Sequence, residues 1–352
     1  MIPQAIRALA LLPLVLMAAC GDGGTPAFDP AGKVTLTFIA YGGAGQDAMI
    51  NAYQKPYTAA HPNVTFVNSS PPDIAQVRAQ VLSRSVTWDV LSIAPAAAKQ
   101  NCGTLFEKLD FSAVDQKDLV PGTVGDCYIG NWINASPIAY RTEAFPNHAM
   151  APRTVADFFD PRRFPGKRGI LTNLQNGILE YPLLADGVAP KDMYPLDVDR
   201  ALKKLGTIRD QTTFAPNVGA LQQAVGANQV DLFILPDSRL VPLMNDGTKI
   251  TIVWDKTVTS INGFAVPKGS PNAEAARRFL TTLVSPDDVK AISEALGTAP
   301  VNKAATTNLS ENARKVEVDG PVNTGETVLQ DIDWYAQNFN AVTTKVTKWL
   351  VG

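Results

Sequence analysis

The first stretch whose residue types and spacing could do chemistry is Gly43-Ala44-Gly45-Gln46-Asp47-Ala48. Glycines that follow a strand let backbone N–H groups approach an anion, and G-x-G-x-x-A is the spacing that cradles a dinucleotide pyrophosphate. That chemistry also needs an acid about twenty residues further on to hold a ribose hydroxyl. Here the next strand ends Val67-Asn68-Ser69-Ser70, with no acid, which argues against a dinucleotide site. What is left is a Gly loop facing a cleft, able to give N–H groups to a ligand oxygen, or a simple turn. Hydrolysis fares no better. No G-x-S-x-G elbow is present, and the two histidines, His61 and His148, have no local partner. Gly166-Lys167 lacks the upstream Gly of a nucleotide P-loop, Pro161 standing there instead, and lacks the Ser/Thr that should follow. Asp110, Asp115, Asp118 and Asp126 miss the spacing of a calcium loop and read as solvated, helix-capping acids. None of these motifs points to an enzyme, a cofactor or a metal.

The elements that must position such a site alternate. Val34 to Tyr41 (VTLTFIAY) is a strand, and Met49, Ile50, Tyr53 and Tyr57 are spaced to bury one face of a helix. A strand at Asn63 to Val67, a helix marked by Ile74, Val77, Val81 and Leu82, and a strand at Trp88 to Ala94 follow. The pattern resumes with Ile170 to Thr172, a helix over Asp197 to Thr212, a helix over Val218 to Asn228 capped by Asn217, and the apolar strand Val230 to Leu235. Asp237 can cap the next helix. Lys249 to Trp254 and Gly263 to Pro267 read as two further strands. Ser270-Pro271 and Ser285-Pro286 each read as an N-cap with Pro at the first helical position, and Gly297 as a left-handed stop. A helix over Val328 to Leu350 ends the chain. Strand–helix alternation predicts α/β architecture with a mostly parallel sheet, whose ligand sits at the carboxyl ends of the strands. That places Tyr41, Gly42, Gly43 and Ser92 on the binding rim.

At 352 residues the chain has room for two domains, and 45% apolar with 18% charged residues describes a globular protein. A net charge of −2, without any Lys/Arg cluster, excludes nucleic acid as a partner. Arg7 and the apolar run Ala8 to Ala19 have the form of an export signal, 1–19, too short to span a bilayer. Leu16-Met17-Ala18-Ala19-Cys20 resembles a bacterial lipoprotein cleavage site, which would make Cys20 the lipid attachment point, with residues 20–33 as lipidated Cys and flexible tether. Two cysteines then remain, Cys102 and Cys127. In an exported protein they form one disulfide, or stay as buried thiols.

Two longer stretches carry a family resemblance. Tyr140 to Leu171 includes TVADFFDPRRFPGKRG, and Ile261 to Asn302 includes AVPKGSPNAEAARRFL. Both resemble the crossovers of bacterial extracellular solute-binding proteins of ABC importers, of the polyamine (spermidine/putrescine)-binding type, in lipoprotein form. The resemblance covers nearly the whole mature chain. It implies a periplasmic binding protein type II-like fold, with two α/β lobes joined by two crossovers and a ligand cleft between them. Lobe one would be 34–139 plus 263–309, and lobe two 140–262 plus 310–352. It also implies the Cys102–Cys127 disulfide and a monomer that hands a small-molecule ligand to permease subunits in the inner membrane. The location would be the periplasm or cell surface, lipid-anchored.

By position, the resemblance places Tyr41, Asn131 and Trp132 of the first half, and Asn173, Asn176, Asp237 and Asn262 of the second, in the cleft. Gln175 lies in the same loop as Asn173. Where polyamine binders carry acids and aromatics, this chain has Asn176, Pro236-Asp237-Ser238-Arg239 and Ser260-Ile261-Asn262. Amides cannot neutralise an ammonium group, and only Asp237 and Glu180 remain as counter-charges. A polyamine is thus less well served than a monoamine, a zwitterion, or a neutral or apolar solute. Arg239, if it turned inward, would favour a carboxylate. The alternative is a same-fold lipoprotein that binds a non-polyamine ligand as sensor or carrier for another membrane partner.

Overall fold

The computed structural model describes residues 32–352. The export signal, Cys20 and nearly all of the tether lie outside the described residues. The first lobe opens with β1 (Val34–Ile39), and α1 (Gly43–Met49) runs through a π-helical turn, Ile50–Gln54, into α2 (Lys55–Ala60). Then come β2 (Val64–Ser69), α3 (Ile74–Ser83), β3 (Val90–Ile93), α4 (Pro95–Gln100), the short β4 (Val124–Gly125) and the long β5 (Tyr128–Arg141). The second lobe holds α5 (Val155–Phe158), β6 (Arg168–Leu171), α6 (Glu180–Ala185), α7 (Val198–Gly206), β7 (Thr212–Ala215), α8 (Val218–Gly226), β8 (Leu232–Ile234) and α9 (Asp237–Asn245). The chain returns along β9 (Ile250–Ala265) to α10 (Ala273–Thr282), α11 (Pro286–Leu296) and β10 (Ala299–Pro300). It closes with α12 (Glu311–Val316), β11 (Glu326–Leu329) and α13 (Ile332–Val351).

The strand order is β2-β1-β3-β9-β5-β8-β6-β7. Each flank is parallel, as the alternation predicts: β1 pairs with β2 and β3, and β6 with β7 and β8. The centre is antiparallel, because the two crossovers are themselves the strands β5 and β9. Lys249 to Trp254 and Gly263 to Pro267, expected as separate strands, belong to the single strand β9 and its exit. The polar residues Asp255 to Thr257 break the apolar pattern in the sequence, yet here they lie in the strand, Lys256 and Thr257 pairing with β11.

That divergence opens a gap in the ladder. Ser136 of β5 faces Val258, but Ile138, two residues on, faces Val253. Buried backbone groups without partners are costly, and side chains of the second lobe supply the partners. Tyr181 Oη donates to the Ser136 carbonyl and accepts the Val258 N–H at 3.1 Å. On the other edge of β5, between its pairing with β10 and with β8, Asp237 Oδ2 accepts the Ala135 N–H at 3.0 Å.

Each lobe has its own core. Phe38 packs on Phe264 and Phe279 at 5.2 and 6.2 Å between ring centroids. Ile138, Phe158, Ile170, Leu205 and Ile234 meet in the second lobe. The helix signals hold at Asn217, at Ser285 and at left-handed Gly297, and Thr154 forms a capping box with Asp157 at the start of α5. Ser270 is the exception: α10 starts at Ala273, and the Ser270 hydroxyl instead donates to buried Asp89 at 2.6 Å. Leu82, though at helical spacing, is 76% exposed. The turn before β6 is built round the fully buried Arg168. Its guanidinium donates to the carbonyls of Phe158 (3.1 Å), Gly166 (2.6 Å) and Phe164 (2.6 Å).

The terminal helix α13, expected on the second lobe, touches both. Asp333 at its start pairs with Lys99 of α4, while Lys345 bonds Asp199 of α7 at 2.9 Å. Cys102 and Cys127 form a disulfide, with Cα atoms 5.5 Å apart across 25 positions of chain. Replacing both with serine should lower unfolding stability by about 3 kcal/mol in the chain-entropy account. A urea midpoint unchanged in the double variant would show that the bond is not stabilising.

Candidate ligand cleft

A cavity of ≈ 90 Å³ lies between the lobes. Tyr41, Gly45, Met49 and Leu296 wall it from the first lobe, and Trp132, Asn134 and Asn262 from the central strands. Asn173, Gln175 and Asn176 face it from the turn after β6, and Val218, Pro236, Ser238 and Arg239 from α8 and the start of α9. No carboxylate lines it among the described residues.

Five of the residues picked from sequence line this cavity: Tyr41, Trp132, Asn173, Asn176 and Asn262. Gly42 and Gly43 set the turn ahead of α1 with φ of 70° and 56°, but the glycine in the wall is Gly45. Asn131 and Ser92 lie behind Asn262, whose Nδ2 reaches Asn131 Oδ1 at 3.2 Å and Ser92 Oγ at 3.4 Å.

Neither expected counter-charge reaches the cavity. Asp237 is buried, and its two oxygens accept the Ala135 N–H (3.0 Å) and the Ser238 N–H (2.7 Å). Burial pushes its carboxyl well above the ordinary range, against the pull of those two donors. It fills the gap in the β5 ladder and does not cap α9 as expected, because the cap position is Pro236 and Asp237 is already inside the helix. Glu180 is fully buried elsewhere in the second lobe. One of its oxygens accepts from Tyr194 (2.8 Å), Gln330 (2.8 Å) and Tyr335 (2.7 Å). Burial raises its pKa, and the hydrogen bonds from Tyr335, Tyr194 and Gln330 oppose that rise.

Arg239 is the charge that does face the cavity. It makes no hydrogen bond or ion pair with any described residue. A Cβ built on Gly45 would stand 3.7 Å from its Nη2, an ordinary contact distance, so position 45 lies against the guanidinium. Burial lowers its pKa, while Tyr41 opposes that shift, and a guanidinium stays protonated regardless. Trp132 Nε1 donates to Asn134 Oδ1 at 3.0 Å, which orients both side chains in the wall.

Sequence reasoning missed Met49, Asn134, Val218 and Leu296, whereas Gly45 lies in the glycine loop expected to face the cleft and Pro236 and Ser238 flank Asp237 in the stretch matched by position. Asn134 was within reach, because it lies two residues from Trp132 on one strand and so shares its face. Met49, Val218 and Leu296 carry no such signal: at helical spacing, an apolar side chain on a cavity wall looks like any core residue.

A sequence profile of the bacterial extracellular solute-binding proteins matches residues 48–317, well over half of the chain. The chain belongs to this family. The solute-binding protein is 28% identical, over 322 residues and 90% of each chain, to the gamma-aminobutyric acid-binding protein of Pseudomonas aeruginosa. It is 25% identical to the spermidine/putrescine-binding periplasmic protein of Escherichia coli over 171 residues, 46% of this chain and 47% of that one. A solved receptor for GABA superposes with a TM-score of 0.79 at 30% identity, over 90% of this chain and 97% of the receptor. The match to the polyamine binder thus spans half the length of the match to the gamma-aminobutyric acid binder. Extracellular capture of solutes is the family's role. Among the described residues, no helix of this solute-binding protein is long and apolar enough to cross a membrane.

Proposed function

We propose that this protein is the solute-capturing component of an ABC-type importer, and that its solute is a small amino acid-like carboxylate. The observation that carries the reading is Arg239: a half-buried cation whose guanidinium has no hydrogen-bond or ion-pair partner among the described residues, in a cavity that no described carboxylate lines. A cation taken out of water needs an anion, and the forked guanidinium fits a carboxylate with two parallel hydrogen bonds. Tyr41 and Trp132 offer ring surface to an aliphatic chain. A polyamine fits poorly, because a dication would meet Arg239 and find no acid. The similarity to binders of gamma-aminobutyric acid supports the same direction. The lobes are 34–139 plus 263–309 and 140–262 plus 310–352, closing on the solute by bending β5 and β9, and the protein works as a monomer that docks on permease subunits.

Calorimetric titration with 4-aminobutanoate, short carboxylates, putrescine and spermidine tests the ligand class. Binding of a carboxylate with no response to either polyamine is the expected result, and tight binding of putrescine would overturn it.

Export by residues 1–19 and lipid attachment at Cys20 complete the reading, resting on Leu16-Met17-Ala18-Ala19-Cys20. Replacing Cys20 with alanine should move the protein from the membrane to the soluble fraction and abolish incorporation of labelled fatty acid. Labelling that survives the substitution would place the lipid elsewhere.

A further inference from the structure

We propose that Asn131, which does not line the cavity, fixes the amide of Asn262 so that its carbonyl oxygen faces the ligand. The cavity then selects a solute with a hydrogen-bond donor, an ammonium group, in addition to its carboxylate. This deepens the reading above and rests on it.

The assignment follows from one backbone group. The Trp132 N–H can only donate, and it donates to Asn131 at 3.1 Å, so the atom there is Oδ1. The Asn262 atom 3.2 Å from that same oxygen must then be a donor, Nδ2. Ser92 Oγ, at 3.4 Å, takes the second hydrogen. Both N–H bonds of Asn262 thus point into the protein, and its Oδ1 has no protein partner on a residue of the cavity wall. The backbone sets the order of the whole relay, and a flipped Asn262 would put two oxygens face to face.

Asn131 is fully buried in β5, with its own Nδ2 toward the buried Tyr53 hydroxyl. A packing role alone would be better filled by an apolar side chain. A second acceptor stands in the same wall: Asn173 Oδ1 is buried and unpartnered. Two bare carbonyl oxygens beside one bare guanidinium give the cavity acceptors as well as donors. An ammonium group satisfies such acceptors, whereas a ligand without a donor leaves them desolvated and unpaired.

The test compares 4-aminobutanoate with butanoate, which lacks only the amine, by calorimetry on the full chain. The wild-type protein should prefer the amine by at least about tenfold, since a site built to bond an N–H rejects the analogue without it. Asn131→Leu should bring that ratio close to one and leave butanoate binding intact, because Arg239 is untouched. Asn131→Asp, which still accepts from Trp132 and Asn262, should keep the preference. A side-chain amide signal of Asn262 that exchanges slowly in the wild type, and fast in Asn131→Leu, would give the same answer without ligand. A ratio unchanged in Asn131→Leu overturns the proposal, as does fast exchange at Asn262 in the wild type if the variant does not fold. Equal binding of both compounds by the wild type leaves the carboxylate reading standing and overturns this inference. Binding of neither removes both.

Discussion

Replacing Arg239 with methionine will weaken carboxylate binding by roughly 2–5 kcal/mol, the usual loss when one partner of a buried, hydrogen-bonded charge pair is truncated. That is about thirtyfold or more in affinity. Arg239→Lys should recover only part of it. Lysine keeps the charge but not the fork, and its strongly hydrated ammonium costs more to hold in the cavity. The unliganded protein should respond in the opposite direction. Without ligand, the Arg239 guanidinium has no hydrogen-bond or ion-pair partner among the described residues, so methionine at 239 removes a desolvated cation and should leave stability unchanged or raised. Calorimetry and urea unfolding on the same variant check both halves. If affinity holds in Arg239→Met, the anion is bound elsewhere and the cavity reading fails. A large loss of stability would instead make Arg239 a structural residue.

Arg168 should behave in the contrary way. It is fully buried, and its guanidinium donates to the carbonyls of Phe158, Gly166 and Phe164. Among the described residues no carboxylate is hydrogen-bonded to it, and the three carbonyls make all of its side-chain hydrogen bonds, with the Phe158 ring 6.0 Å from its Cζ. Burial lowers its pKa, with Asp160 and Asp231 opposing from a distance. Arg168→Met would strand three carbonyls that water cannot easily reach. At about 1–3 kcal/mol for each buried group left unpaired, partly relieved as the turn relaxes, the loss should be about 3–5 kcal/mol. Arg168→Lys has one nitrogen to serve the same carbonyls and should lose most of that too. Denaturant midpoints measure the effect. A drop below about 1 kcal/mol, the size of a single net hydrogen bond, would mean that the turn from Phe158 to Gly166 does not depend on this side chain.

The two arginines show where the sequence could be read and where it could not. FPGKRG is legible as a turn leading into a strand, because proline and glycine fix local geometry. That its last arginine is buried follows from the path of the ten residues from Phe158 to Lys167, which no local pattern encodes. Arg239 is the same problem reversed: at the start of a helix, an arginine is usually solvated, and only the approach of Gly45 from the other lobe makes it a cavity residue. The flanking strands and helices were legible for the reason that local periods of two and 3.6 record which face is buried. The central strands were not, because β9 pairs with β3, β5 and β11 along different parts of its length, and its polar middle satisfies the last of these rather than a core. Amides at 173, 176 and 262 were legible as site residues by position. Asp237 was not, since an acid that closes a backbone gap and an acid that meets a ligand look alike in one dimension.

The placement of β9 also orders the chain in time. By residue 234 the second lobe has β5, β8, β6 and β7 in hand and can pair them with one another. The first lobe has β2, β1 and β3 by residue 93, yet it cannot finish. The edge of β3 waits for β9, and its core waits for Phe264, Phe279 and Ile292. The first strands to leave the ribosome therefore stay unfinished until β9, α10 and α11 have emerged. A truncation before α11 would take Ile292 and Leu296 from the core of the first lobe and, with α12 and α13, Val316, Tyr335, Val342 and Val346 from the cores of the second.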